Sequence, residues 1–104
     1  MQIIPASNIY TNSILQPFTG PSQKEPGYNC PAAEVISSKV NCERALQSLG
    51  LRLMYDVSRT DRPAGCYWKS DDNGFFNNII DPSLTDPNSF GDRGGVCMTM
   101  RKNC

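Results

Sequence analysis

Five cysteines, Cys30, Cys42, Cys66, Cys97 and Cys104, are the residues of this chain best equipped for chemistry, and no histidine accompanies them. A zinc site without histidine needs four thiolates, usually in close Cys-x-x-Cys pairs, and no such pair occurs. The same spacing leaves out a thioredoxin-type redox motif. Nucleophilic catalysis by serine or cysteine needs an adjacent base, and the usual dyads and triads require the missing imidazole. Five scattered cysteines among 104 residues therefore read as a disulfide framework formed in an oxidising compartment.

Two further groups invite a chemical reading. Asp71 and Asp72 adjoin each other in "DDNG", and Asp81, Asp86 and Asp92 follow. Hard carboxylate oxygens suit Ca²⁺, but the alternating acids and closing glutamate of an EF-hand are absent, and turn formation explains the same residues. Neighbouring carboxylates such as these do not define a glycosidase cleft either. The second group is aromatic: Tyr67, Trp68, Phe75 and Phe76 crowd one short stretch. They could form a platform on which sugars stack, or simply pack a small core. Arg62 could lie over one of these rings, or be a solvated loop arginine. No metal, cofactor or enzymatic activity is expected.

The elements that must position these residues are few. In "EVISSKVNCERALQSLGL" the residues Cys42, Ala45, Leu46 and Leu49 fall on one helical face. Ser37 or Ser38 can cap its start, and Gly50 can end it in a left-handed conformation with Leu51 as apolar clasp. "GCYWK", "SDDNG" and "FFNN" read as strand, turn and returning strand, because Asn-Gly and Asp-rich clusters tolerate positive φ. Alternation puts Cys66 and Trp68 on one face and Tyr67 on the other. After the Pro- and Asp-rich loop "IIDPSLTDPNSFGDRGG", "VCMTM" supplies a third strand carrying Cys97. The expected fold is α+β, one helix packed on a three-stranded antiparallel sheet.

Ahead of this module, residues 1–29 hold four of the eight prolines, spaced so that no helix or central strand persists between them. This segment is expected to be an extended arm. Its apolar residues Ile3, Ile4, Ile9, Tyr10, Ile14, Leu15 and Phe18 are too many for a solvated linker. They can wrap the chain's own domain or lie in a groove of another protein, as a docking arm. The first ten residues lack the basic and apolar regions of a secretory signal, so the oxidising reading implies a processed chain.

Composition agrees with a lean core. Apolar residues with glycine counted and tyrosine left out make up about 42%, below the roughly 45–50% of ordinary domains. Ten Lys and Arg balance ten Asp and Glu, and neither sign forms a run, so no sequence footprint for nucleic acid or anionic lipid is visible. No apolar stretch approaches a membrane span.

Together "CPAAEVISSKVNCERALQSLGL", "RPAGCYW", "GFFNN" and "DRGGVC" resemble small four-cysteine modules that recur in proteins encoded by marine microalgae. The resemblance covers about residues 30–97, with Leu46 where those modules usually show alanine. It implies a secreted or lumenal disulfide module, with Cys30, Cys42, Cys66 and Cys97 as the framework and Cys104 as an extra, either free or paired with another molecule. Four cysteines allow three connectivities. The expected pairing joins helix to hairpin through Cys42–Cys66, and the module's start to its last strand through Cys30–Cys97. The expected role is a non-catalytic accessory subunit whose arm docks on a larger assembly on the oxidising side, such as a photosynthetic membrane complex facing the thylakoid lumen. The alternative is an autonomous extracellular module that binds carbohydrate or another ligand on the hairpin aromatics.

Overall fold

The computed structural model describes residues 18–70 and 72–100 of the chain. Ile3, Ile4, Ile9, Tyr10, Ile14, Leu15, Asp71 and Cys104 lie outside the described residues. Strand β1 spans Phe18–Gln23, helix α1 Lys39–Ser48, β2 Arg52–Val57, β3 Gly65–Lys69, β4 Asn73–Asn77 and β5 Arg93–Met100. Single 3₁₀ turns cover Ala32–Glu34, Pro82–Leu84 and Pro87–Ser89.

The class is α+β, but the sheet is larger than the expected three antiparallel strands. It has five, in the order β1-β5-β3-β4-β2. Pairing is antiparallel from β1 through to β4, while β2 runs parallel to β4, so the sheet is mixed. Both extra strands are edges, which is why their sequences read weakly. β1 contains Pro21, which cannot donate to a ladder and is tolerated only at an edge. β2 lacks clean alternation because the register slips between Leu53 and Tyr55, leaving Met54 as an extra, exposed residue. Residues 18–23 of the proline-rich segment thus belong to the sheet.

Helix α1 begins where Ser38 accepts a hydrogen bond from the Asn41 amide at 3.0 Å. It ends in a Schellman turn: Gly50 N–H donates to Gln47 O, Leu51 N–H donates to Leu46 O, and Gly50 takes φ +79°. Cys42, Ala45 and Leu46 are buried against Ile36, Cys66, Phe76 and Val96, with Leu49, Leu51, Leu53, Trp68 and Met98 packed around them. Each large apolar side chain fully buried here contributes about 1.5–3 kcal/mol. Leu46 is admitted because Gly74 lies beneath it; a Cβ on Gly74 would overlap its isobutyl group. Gly74 is therefore a packing glycine inside β4, and the positive φ of the turn falls on Asp72, at 66°.

Two disulfides close the frame. Cys42–Cys66 ties α1 to β3, with 5.2 Å between Cα atoms, and Cys30–Cys97 ties the segment before α1 to β5, at 5.6 Å. The strap from Lys24 to Cys30 lies against β5, where Lys24 N–H donates to Gly95 O, Gly27 N–H to Arg93 O, and Gly95 N–H to Tyr28 O. Gly94 and Gly95 make that contact possible, since a Cβ on Gly95 would meet Cys30 Sγ at 2.8 Å. The disulfides enclose sequence separations of 24 and 67 residues. In the chain-entropy account such loops contribute about 3–4 kcal/mol each, the longer loop slightly more. Replacing Cys42 and Cys66 together by alanine should lower the unfolding free energy by about 3 kcal/mol, and replacing Cys30 and Cys97 by somewhat more. Urea unfolding of the two double variants beside the unaltered chain checks both the size and the order.

Candidate functional site

The hairpin aromatics do not share one surface. Cys66, Trp68 and Phe76 belong to the face that meets α1, and Trp68 Nε1 donates to Lys24 O at 2.6 Å. Tyr67 and Phe75 sit on the opposite face, stacked at 5.2 Å between ring centroids. Tyr55 from β2 meets Phe75 edge-on at 5.1 Å. Burial sorts their roles: Tyr67 is 1% exposed, Phe75 7% and Phe76 4%, whereas Tyr55 is 59% exposed. The open ring is thus one that the sequence does not single out, because the irregular β2 gives no clear strand signal.

Over Tyr67 and Phe75 lies a hollow of about 160 Å³, lined also by Tyr55, Val57, Arg59, Arg62, Lys69 and Arg93. The register explains the gathering. Tyr55 pairs with Phe75, Phe75 with Tyr67, Tyr67 with Gly95, and Lys69 with Arg93, so all these positions point to one side. Arg59 and Arg62 enter from the loop after β2, which is held by a buried asparagine. The Asn77 side-chain amide donates to Arg59 O at 2.7 Å and Pro63 O at 3.0 Å, and its Oδ1 accepts from the Arg59 and Ile79 amides, both at 3.1 Å. Asn77 has no exposed surface, so without it these backbone groups would lose their partners, a loss of about 1–3 kcal/mol for each left unpaired.

The charges around the hollow do not cancel. Asp61 accepts a two-pronged bond from Arg59 at 2.7 and 2.8 Å and stands 3.2 Å from Arg62. The Arg62 charge also acts on the Tyr67 phenol. Arg93 donates to Phe90 O at 3.2 Å, while its nearest carboxylate, Asp92, is 3.9 Å away and accepts a 2.6 Å bond from Ser70. Among the described residues Lys69 makes no ion pair. Among the described residues four cations thus face two carboxylates. Burial pushes the Tyr67 phenol up despite the neighbouring arginines, so it stays a neutral donor. The hydrogen bond from Arg59, with the Arg62 charge adding to it, pulls Asp61 down to about 2.

The other candidate residues have structural partners. Asp81 caps the Pro82–Leu84 turn by accepting from the Ser83 amide, and Asp86 does the same for Asn88. Among the described residues no group of three or more metal-ligating side chains comes together. A shallower, more apolar trough of about 370 Å³ runs between α1 and β1, lined by Pro21, Asn41, Arg44, Ala45, Ser48 and Met98. Among the described residues no helix is long and apolar enough to cross a membrane.

A scan against protein-family models and searches of curated proteins and of solved structures find no match for this chain.

The clamp and the ion pair can each be measured. Asn77→Ala should lower stability by about 3 kcal/mol, by unpairing the buried backbone around Arg59 and Pro63; chemical unfolding reads it. The Asp61 carboxyl should titrate at about 2 by carbon-detected NMR, and Arg59→Gln should return it toward the ordinary 3.8. Because the folded value lies below the unfolded one, the pair supports the fold above pH 3.8, and that support is lost as pH falls through about 2.

Proposed function

We propose that this chain is a non-catalytic, saccharide-binding module of an oxidising compartment, secreted or lumenal, and that its ligand sits on the sheet face opposite α1. The observation that carries this reading is the open ring of Tyr55 beside a small hollow lined almost wholly by hydrogen-bond donors and aromatic rings. A sugar ring needs an apolar plane to cover its C–H face and polar groups to meet its oxygens, and that combination is assembled here by rigid strands. At about 160 Å³ the hollow is smaller than the roughly 300–1,000 Å³ of drug-sized sites, so it takes one substituent or the end of a chain.

A peptide ligand fits less well. Extended peptides usually join a sheet at a free edge, but here β1 carries Pro21 and a register slip after Phe18, and β2 carries the extra residue Met54. Both edges are blunted. Among the described residues the hollow's lining contains no carboxylate, imidazole or thiol, the groups that most often move protons or attack substrates. The two disulfides support an oxidising compartment. Docking through the first residues rests on positions outside the described part of the chain, so the sheet face takes precedence over the arm.

A glycan array probed with the folded chain tests the proposal. Retention of a defined set of saccharides, reduced at least about tenfold by Tyr55→Ala with an unchanged thermal midpoint, is the expected result. Absence of retention on every saccharide, or retention indifferent to Tyr55→Ala, would refute it.

A further inference from the structure

Resting on the saccharide reading above, we infer that the hollow selects an acidic saccharide, one whose sulfate or carboxylate group enters between Arg62, Lys69 and Arg93 while its ring lies against Tyr55. Among the described residues the cations here outnumber the carboxylates, where water is partly excluded. The Arg93 side chain is only 20% exposed, yet its nearest carboxylate stands 3.9 Å away and is already engaged by Ser70. Arg62, at 17% exposed, shares Asp61 with Arg59, which holds that carboxylate more closely. Lys69 makes no close ion pair among the described residues, its charge acting on the Asp92 that Ser70 already engages. Partly desolvated charges are costly unless paired, so an incoming oxyanion would supply what the chain does not.

Donor geometry agrees with charge. A guanidinium offers a planar fork that matches the oxygens of a carboxylate or sulfate, and an ammonium adds a point charge free to turn. Neither can accept a hydrogen bond. Tyr67, which lines the same hollow, has a phenol O–H to donate. A neutral sugar hydroxyl needs to give its own proton somewhere, and it finds few acceptors here. An oxyanion needs only donors. The overall neutrality of the chain makes the local excess more telling, because half of its ten basic residues are Arg52, Arg59, Arg62, Lys69 and Arg93, which the register and the loop after β2 bring to this side.

Binding of three soluble polymers to the full-length chain tests the inference: dextran sulfate for the sulfate ester, polygalacturonate for the carboxylate, and unmodified dextran as the neutral form. One or both acidic polymers should bind at least about tenfold more tightly than dextran and weaken as salt rises from about 50 to about 300 mM. Lys69→Gln and Arg93→Gln should each reduce that binding about tenfold, while Arg44→Gln on the exposed side of α1 should leave it unchanged. Which acidic polymer binds better tells sulfate from carboxylate. Among the described residues the Lys69 ammonium makes no ion pair, so Lys69→Gln keeps the test sound should Arg93→Gln loosen the fold. Neutral dextran or neutral array glycans bound through Tyr55, with no effect of either charge variant, would overturn the inference and leave the saccharide module standing. Failure of every saccharide, acidic or neutral, would overturn both. Poly-glutamate bound as tightly as the acidic polymers would overturn the choice of a saccharide.

Discussion

Each disulfide fastens an element outside the ladder of strands to one of its strands, the strap before α1 being held to β5 by backbone hydrogen bonds as well. Cys42–Cys66 fastens α1 to a central strand, and Cys30–Cys97 fastens the strap before the helix to β5. The helix-side cluster they serve contains seven buried residues, two of them the bonded cysteines Cys42 and Cys66. A core of that size stabilises a small domain only modestly, so cross-links that each contribute about 3–4 kcal/mol form a large share of a total that is normally about 5–15 kcal/mol. Their further effect is positional. With α1 and the strap pinned, the strands keep one register, and that register decides which side chains meet across the sheet.

The proposed site depends on that register. Arg59 and Arg62 lie in the loop that leads into β3, Lys69 at the far end of that strand, and Arg93 well along the chain at the start of β5. Asn77 fixes the loop, the pairing of Lys69 with Arg93 fixes the strand ends, and Asp61 keeps the two loop arginines from moving freely. Mutually repelling cations are thereby held together before any ligand arrives. Holding them so lowers the ordering that binding would otherwise require, which is the usual physical basis of preorganisation.

Helix α1 is legible in the sequence because its signals are local: a serine cap, a four-residue apolar face, and a glycine followed by leucine. The β3–β4 hairpin is legible from alternation, including the opposed directions of Cys66 and Tyr67. Local signals do not carry the role of Gly74, which serves Leu46 from a distant helix rather than the adjoining turn. Strand β2 escapes because its extra residue Met54 breaks the period of two, and β1 because Pro21 reads as an interruption unless the strand is known to be an edge. The basic hollow escapes for a related reason. Along the chain the signs of charge are evenly mixed, while the fold sorts them across it. Tyr55 and Asn77 carry no mark of their own in the sequence, and only the register shows that one ring is open and one amide is a clamp.

Covalent sulfur cross-links holding a preformed, cation-lined hollow are tested most directly by following arginine and tyrosine side-chain NMR signals of one sample during titration with sulfate ion, before and after reduction with dithiothreitol. Saturable shifts at Arg62, Arg93 and Tyr67 are expected in the oxidised chain, with collapse of spectral dispersion and loss of those shifts once the disulfides are reduced. A reduced chain that kept both its dispersion and its response to sulfate would contradict this view of the molecule.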